Sequence, residues 1–217
     1  MSEINLLKNY PRSKRNITAR NEQRSVESIA LACQYGREYF DGDRETGYGG
    51  YIYDGRWIPV AENIVEHFSL KSGDRLLDIG CAKGFLIKDL VAVCPGLEVV
   101  GLDISRYAIS HCVSEVDDRV IVGNAKNLPF PNDSFDVALS INTIHNLPQI
   151  HCINALREIE RVADQAYVQV DSWFNEDQKA QFLDWVLTAQ TFFGREGWKD
   201  IFQKARYTGD YYWTITE

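Results

Sequence analysis

Hydrophobic and polar positions along the chain predict strands and helices in alternation. A short apolar run at 76–79 ends in a glycine-spaced turn, and a helical pattern of apolar positions begins at Phe85. That order is typical of a strand, a tight turn and a helix. Alternation of this kind over residues 60–172 predicts an α/β fold with a parallel sheet and crossover helices. The patterns predict strands at 76–79, 98–103, 119–122, up to about 141, 166–170 and 210–216, and helices at 25–41, 60–68, 85–94, 105–113, 150–163, 178–191 and 194–204.

The turn after the first predicted strand combines two glycines with a carboxylate. Gly80 and Gly84 let the backbone turn sharply and approach a ligand, and the following helix points its free N–H groups to the same place. A dinucleotide would bring a pyrophosphate, whose usual fingerprint is G-x-G-x-x-G. Here the spacing is Gly80-x-Ala82-x-Gly84, and Asp78 would repel a phosphate. The turn therefore favours a cationic ligand without phosphate, such as S-adenosylmethionine (SAM), and argues against a dinucleotide-dependent oxidoreductase.

The stretch 76–84, L-L-D-I-G-C-A-K-G, resembles motif I of the class I SAM-dependent methyltransferases, with Ala82 in place of the middle glycine. Residues 129–137 are similar to the family's segment leading into strand four, and residues 156–162 to its helix before strand five. The resemblance implies a Rossmann-like class I methyltransferase fold, with a mostly parallel sheet of six or seven strands and helices on both faces. That sheet usually closes with an antiparallel hairpin after strand five, whereas this chain shows one clear strand there. We expect residues 59–217 to form the SAM-binding domain and residues 1–58 to form an N-terminal helical and loop cap over the active site.

The resemblance also implies which residues hold the cofactor. Asp103 ends the second predicted strand, 19 residues after Gly84, where an acid can accept both ribose hydroxyls. The same side chain is also suited to cap the helix that follows. Asn124 and Ala125 occupy the junction that reaches the adenine edge in the family. The expected cofactor-binding residues are Asp78, Gly80, Ala82, Gly84, Asp103, Ile104, Asn124, Ala125 and Asn142.

Two N-terminal segments have open interpretations. Residues 1–24 carry Lys8, Arg12, Lys14, Arg15, Arg20 and Arg24 against two glutamates, which fits a solvated, partly disordered arm or a flap over an anionic substrate. Residues 48–57 mix aromatic rings, glycines and one arginine, which fits a ligand-binding loop or an aromatic hinge packed on the core. With residues 36–42, this stretch is similar to small methyltransferases of bacterial surface-polysaccharide loci. The expected substrate-binding residues are Tyr48, Tyr53, Arg56 and Trp57.

Methyl transfer is an in-line displacement, and an oxygen acceptor also benefits from a general base worth about 10²–10⁴-fold. His145, after strand four, is the first candidate for that base, with Asp171 and Tyr51 as alternatives. A structural or SAM-contacting role for His145 stays open, and an amine acceptor needs no base. Asn142 stands where metal-dependent catechol-type enzymes place an aspartate, so no metal is expected. Residues 142–145 also lack the proline pair of methyltransferases that act on nucleic-acid amino groups.

Composition narrows the partners and the compartment. The formal net charge of −8 argues against nucleic acid as the main partner. The five cysteines are dispersed, as is typical of free thiols in a reducing compartment, and no apolar run is long enough to span a bilayer. We therefore expect a cytoplasmic enzyme, monomeric or homodimeric, that methylates a small, anionic metabolite or a nucleotide-linked polysaccharide precursor. The alternative is a catalytically silent SAM-binding or scaffold protein.

Overall fold

The sheet is the frame on which the rest of the protein is built. A computed structural model describes residues 1–11 and 16–217. Within these residues six strands form one sheet in the order β3-β2-β1-β4-β5-β6, and every pairing between neighbours is parallel. The strands are β1 (Arg75–Ile79), β2 (Glu98–Asp103), β3 (Val120–Val122), β4 (Phe135–Ile141), β5 (Ala163–Ser172) and β6 (Asp210–Ile215).

Helices cover both faces of the sheet. Val60 and Ile64 of α4 pack with Leu90 of α5 on one face, and Leu156 of α7 packs with Trp198 of α9 on the other. The described part of the chain contains α1 (Ile17–Gln23), α2 (Val26–Ala32), α3 (Arg37–Asp41), α4 (Ile58–Phe68), α5 (Phe85–Val93), α6 (Arg106–Ser110), α7 (Gln149–Val162), α8 (Glu176–Trp185) and α9 (Arg195–Ala205). The expected Rossmann-like methyltransferase fold is confirmed.

Beyond shifts in element ends, as for α6 and β5, the structure differs from the sequence-based expectations at three places. The helix expected at 25–41 is split into α2 and α3, because Tyr35 adopts a left-handed backbone with φ of +50°. The helix expected at 178–191 ends at Trp185, after which Val186 is extended. The closing strand β6 pairs in parallel with β5, so the described residues contain six strands and lack the antiparallel hairpin of the family.

The first residues of the chain pack against the edge of the sheet at Leu6 and Ile4, so the interpretation of residues 1–24 as a solvated arm fails there, while most of the other described residues of this segment are exposed. Leu6 is 3% exposed and belongs to the core cluster that contains Val60. The Ile4 amide donates a hydrogen bond of 2.9 Å to the Tyr211 carbonyl at the edge of the sheet. Asn16 caps α1. Arg12, Lys14 and Arg15 lie outside the described residues.

Candidate functional site

A large cavity lies at the carboxyl ends of the central strands. It has a volume of about 750 Å³ and is lined by residues from β1, β4, β5 and β6, together with residues of the N-terminal 57. In open α/β sheets this edge is where ligands bind, and a cavity of this size can hold a ligand of several hundred daltons. The lining residues used below are Asp78, Gly80, Ala82, Tyr48, Tyr51, Arg56, Trp57, Asn142, His145 and Asp171.

The turn after β1 is tightly packed against the end of β4. Gly80 has φ of +86°, and a Cβ atom on it would lie 1.9 Å from Thr143 Oγ1. Gly84 has φ of +75°, and its Cβ would lie 2.7 Å from Val116. Ala82 adopts the same left-handed region with φ of +50° and packs in a small cluster with Phe40. Alanine therefore keeps the turn conformation that glycine supplies in the family motif, at some cost in backbone strain.

Asp78 is a buried carboxylate without a partner. Its side chain lines the cavity, the residue is 4% exposed, and none of the described residues hydrogen-bonds or ion-pairs with it. Burial raises the pKa of Asp78 to about 7, and the negative charge of Asp103 adds to the shift. A carboxylate in this state stabilises a cation that enters the cavity.

Asp103 ends β2 and is fixed by the backbone. Its Oδ2 accepts a hydrogen bond of 2.9 Å from the Ala82 amide, and its Oδ1 accepts one of 2.8 Å from the Ser105 amide. Burial raises the pKa of Asp103, while these hydrogen bonds act in the opposite direction. Ser105, rather than Asp103, caps α6 through its own side chain. Each Asp103 oxygen keeps a lone pair for a further donor, as a ribose would supply.

The residues expected near the adenine lie beyond the lining of the cavity. Ile104 is about half exposed, Ala125 is buried, and Asn124 uses its side-chain oxygen to accept from the Lys126 amide. Asn142 does line the cavity, with φ of +52°, and its Oδ1 accepts a hydrogen bond of 2.7 Å from Thr214. The structure thus brings Asn142 together with Asp78 and leaves the other three at the periphery.

Part of the segment 48–57 lines the cavity, and the rest packs against α5. The rings of Tyr48 and Tyr51 lie 4.5 Å apart, and Tyr51 stacks on Phe85 at 4.6 Å. Burial raises the pKa of the Tyr51 hydroxyl, which therefore stays protonated and acts as a donor near neutral pH. Tyr53 lies outside the cavity lining and donates a hydrogen bond to Asp89 of α5.

Arg56 and Trp57 complete this wall. The Arg56 guanidinium pairs with Asp54 through two hydrogen bonds from Nε and one from Nη2, and Trp57 lies 4.8 Å from the ring of Tyr10. Both side chains line the cavity. Of the four expected substrate-binding residues, Tyr48, Arg56 and Trp57 therefore line the cavity, where a ligand would contact them. Tyr53 does not line it.

His145 and Asp171 form a close pair at the far side of the cavity. The Asp171 amide donates a hydrogen bond of 3.2 Å to His145 Nδ1, and His145 Nε2 lies 3.4 Å from Asp171 Oδ2. His145 is 4% exposed, and burial lowers its pKa more than the Asp171 charge raises it. The imidazole is therefore neutral near pH 7.

Comparison with known proteins agrees with this geometry. Residues 77–166, which contain β1 through the first part of β5, match the model of a methyltransferase domain. This segment is therefore similar to a methyltransferase domain. Domains of this class use SAM as cofactor. The match begins at Leu77 in β1, so it contains all but the first residue of the stretch 76–84 that resembles motif I.

The chain is also similar to curated methyltransferases of several organisms. Over 96 residues it is 36% identical to the 27-O-demethylrifamycin SV methyltransferase of Amycolatopsis mediterranei, covering 41% of this chain and 35% of that protein. Over 142 residues it is 30% identical to the demethylmenaquinone methyltransferase of Symbiobacterium thermophilum, covering 59% of this chain and 55% of that protein. The chain thus spans about half, or less, of the length of the curated relatives it matches.

Solved structures extend the likeness in fold beyond the methyltransferase domain. A chain from the complex of the Haloferax volcanii Trm112 methyltransferase activator with its protein partner has a TM-score of 0.57 and 22% identity, covering 83% of this chain and 77% of that chain. Among the helices of the described residues, none is both long enough and apolar enough to cross a membrane. The described residues also contain no cluster of three or more His, Cys, Asp or Glu side chains suited to a metal ion.

Two groups of interacting residues near the site are not predicted from the sequence. Lys83, inside the turn, places Nζ 2.6 Å from both carboxylate oxygens of Asp41, and the Tyr107 hydroxyl donates to the same carboxylate. A second group spans three strands: Gln169 accepts from the Tyr167 hydroxyl and donates to Thr214, which donates to Asn142. The available signals are a lone lysine in an apolar buried stretch and polar residues at alternate positions of β5 and β6.

Proposed function

We propose that the protein transfers a methyl group from SAM to an oxygen or nitrogen atom of a small, anionic metabolite, such as a nucleotide-linked precursor of a surface polysaccharide. The observation that carries the proposal is Asp78, a buried carboxylate that faces the cavity with no partner among the described residues. Such a group is costly to bury unless a ligand neutralises it. The α-ammonium of SAM supplies that charge, whereas the pyrophosphate of a dinucleotide does not.

The residues around the turn fit the other parts of the same cofactor. Asp103 is held by the Ala82 and Ser105 amides with lone pairs left for the ribose hydroxyls. Ile104, Asn124 and Ala125 follow Asp103 or β3 and would approach the adenine from the periphery. SAM supplies a methyl group already activated by a sulfonium. The task of the protein residues is therefore to hold donor and acceptor in line, which is worth up to ~7–11 kcal/mol.

Three arginines support an anionic acceptor. Arg20, Arg44 and Arg56 all line the cavity, and the Arg20 guanidinium lies over the ring of Trp185 at 4.1 Å. Guanidinium groups pair well with carboxylates and phosphates because their donors lie in one plane. Tyr48 and Tyr51 add hydroxyl donors on the same lining. We infer that residues 1–58 act as the cap over the acceptor, since these side chains all belong to that segment.

The compartment and the oligomeric state belong to the same proposal. All five cysteines are free thiols, which supports an enzyme of the reducing cytoplasm. A monomer or a homodimer is consistent with a cavity built within one chain. One curated relative, from Arabidopsis thaliana, is named for a modified uridine of tRNA, at 32% identity over 130 residues that cover 59% of this chain and 30% of that protein. The acidic net charge of this chain favours a small acceptor instead.

The test begins with cofactor choice. Ligand at 100 times its Kd stabilises a protein by about 2.7 kcal/mol, so SAM and S-adenosylhomocysteine should raise the melting temperature by several degrees and NAD should not. The second step measures S-adenosylhomocysteine release with nucleotide sugars, phosphorylated metabolites and total tRNA. A shift with NAD alone would refute the cofactor assignment. SAM binding without turnover on any acceptor would instead identify a silent SAM-binding protein.

A further inference from the structure

We propose that Asp171 is the group that takes the proton from the acceptor, that His145 is its positioning residue, and that the acceptor atom is therefore a hydroxyl oxygen. The proposal rests on the methyl transfer proposed above and names the chemistry of its acceptor. It reverses the order in which the sequence ranks these residues, because His145 is the first candidate from the sequence alone.

The hydrogen bonding of His145 leaves it no lone pair for a substrate. A neutral imidazole has one donor nitrogen and one acceptor nitrogen. Nδ1 accepts from the Asp171 amide at 3.2 Å, so Nε2 carries the hydrogen. Nε2 in turn faces Asp171 Oδ2 at 3.4 Å. Nδ1 is thus occupied, and His145 would have to break its bond to the Asp171 amide before it could take up a proton.

Asp171 is held from two sides while its carboxylate stays accessible. Its amide donates to His145, and its carbonyl accepts a hydrogen bond of 2.8 Å from the indole of Trp198, which is fully buried. The carboxylate lines the cavity and its side chain is 21% exposed, against 5% for His145. Because these two hydrogen bonds use backbone groups of Asp171, they fix its position and do not occupy its carboxylate oxygens, of which Oδ2 lies 3.4 Å from His145 Nε2. Asp171 is therefore the accessible proton acceptor of the pair.

Several other polar groups that line the cavity are donors or are already bonded. The Tyr51 hydroxyl is protonated near neutral pH. Gln169 and Thr214 are bonded to each other, and Thr214 donates to Asn142 Oδ1. These amides and hydroxyls can orient an acceptor, but they do not take a proton at neutral pH. Two carboxylates line this side of the cavity, those of Asp171 and Glu217, and Asp171 is the one that is paired with His145 and anchored through its backbone.

A carboxylate at this place favours oxygen over nitrogen as the methylated atom. A neighbouring negative charge raises the pKa of an amine and keeps it protonated, and an ammonium has no lone pair to attack the methyl group. A hydroxyl instead attacks as its proton leaves. The new carbon–oxygen bond forms as the carbon–sulfur bond breaks, the bond electrons stay on sulfur as S-adenosylhomocysteine, and the hydroxyl proton passes to Asp171 and then to water.

The first experiment tests the hydrogen bonding of His145 independently of methyl transfer. Imidazole ¹⁵N NMR on the SAM-bound protein reports the His145 tautomer without any acceptor, and we expect the Nε2–H form. The opposite tautomer overturns the assignment whether or not an acceptor is known. If the tautomer is as expected and no acceptor yields S-adenosylhomocysteine, the proposed methyl transfer fails and Asp171 loses its role with it.

Variants then assign the two roles on the acceptor found by the screen. Asp171→Asn should lower kcat by about 10²-fold or more, with the SAM Kd and the acceptor KM within threefold of wild type. His145→Phe should lower kcat about tenfold, and His145→Gln, which keeps an acceptor for the Asp171 amide, should restore it to within threefold. Activity retained by Asp171→Asn, equal losses in both His145 variants, or an N-methylated product would each overturn the proposal.

Discussion

At the scale of single residues, we expect the buried carboxylate of Asp78 to favour SAM binding and to lower the stability of the ligand-free protein. Its folded pKa of about 7 lies above the ordinary value of 3.8, so its contribution to stability is complete below pH 4 and is lost as the pH rises through 7. Three pKa units correspond to roughly 4 kcal/mol, an upper estimate for a buried group. We expect Asp78→Asn to raise the free energy of unfolding of the ligand-free protein at pH 8, measured by urea denaturation, and to weaken SAM binding about 100-fold.

Asp89 offers a matched control for this substitution. It is also a buried aspartate with a raised pKa, but it lies on α5 and accepts a hydrogen bond from Tyr53 outside the cavity lining. Asp89→Asn should leave the SAM Kd within threefold of wild type, since an amide oxygen can still accept from the tyrosine. Equal losses of SAM affinity in the two variants would show that Asp78 acts through the fold and not through the ligand.

Residues within one contiguous motif are the ones that sequence reasoning predicts well. Asp78, Gly80, Ala82 and Gly84 share one turn, so the local pattern is sufficient to place them together. The His145–Asp171 pair joins positions 26 residues apart, and the Lys83–Asp41 pair joins positions 42 apart. No periodicity relates such positions. The tautomer of His145 depends on a backbone amide of another strand, which a single sequence does not reveal.

At the scale of elements, the contact between the β1 turn and the end of β4 fixes the centre of the site. Gly80→Ala would place its Cβ 1.9 Å from Thr143 Oγ1 and impose φ of +86° on alanine. Gly73 has nearly the same φ, +89°, with nothing within 4 Å of its Cβ position. We expect Gly73→Ala to cost about 1–2 kcal/mol from backbone strain alone. Gly80→Ala should cost clearly more, as overpacking adds typically 1–3 kcal/mol.

The comparison of these two variants by urea denaturation isolates the clash from the strain, because only their surroundings differ. Similar losses of unfolding free energy would mean that the turn relaxes away from Thr143. A larger loss for Gly73→Ala would contradict the close approach of β1 and β4 altogether.

The ion pair between α3 and the β1 turn attaches the N-terminal segment to the cofactor side of the sheet. The Lys83 side chain is 9% exposed and that of Asp41 26%, and Lys83 also donates to the Tyr51 carbonyl. Asp41→Asn leaves a buried ammonium without its counter-charge, whereas Lys83→Met removes the charge itself. We expect Asp41→Asn to be the more destabilising, by about 2–3 kcal/mol, and the double variant to recover part of the loss.

Glu115→Gln supplies the control for this pair. Lys88 and Glu115 form an ion pair of 2.7 Å with the glutamate side chain 55% exposed, and exposed pairs contribute about 0–1 kcal/mol. Limited proteolysis of residues 42–50 should accelerate in Asp41→Asn and not in Glu115→Gln. Unchanged cleavage and unchanged denaturation in Asp41→Asn would show that α3 is held by its aromatic packing alone.

Secondary-structure elements are predicted well where neighbouring residues determine them and poorly where residues far apart in the sequence do. The alternation of strands and helices from α4 to β5 is predicted from the hydrophobic pattern because each element repeats its own period. The break at Tyr35 escapes prediction because a left-handed tyrosine has no sequence signature comparable to glycine. The parallel pairing of β6 with β5 is equally hidden, since strand direction depends on the path of α8 and α9 and not on the strand's own residues.

At the scale of the whole molecule, the cavity lies between two halves of the sheet, one proposed to bind the cofactor and the other proposed to bind the acceptor. The β1 side carries Asp78, which lines the cavity, with Asp103 of β2 buried behind the turn, and the β5 and β6 side carries Asp171 and Thr214, which line the cavity where we place the acceptor. The N-terminal residues close the space between them. Both halves bury charge near the ligand, so the ligand-free protein holds ionisable groups whose protonation depends on binding.

That coupling predicts that SAM binding releases protons. In the ligand-free protein at pH 6, Asp78 is mostly protonated because its pKa is about 7. A cation bound beside it lowers that pKa, so wild type should release close to one proton per SAM, measured by calorimetric titration in two buffers with different ionisation enthalpies. Asp78→Asn should release about one proton fewer, and titration of SAM itself cancels between the two proteins. Equal proton release by both would show that SAM binds away from Asp78.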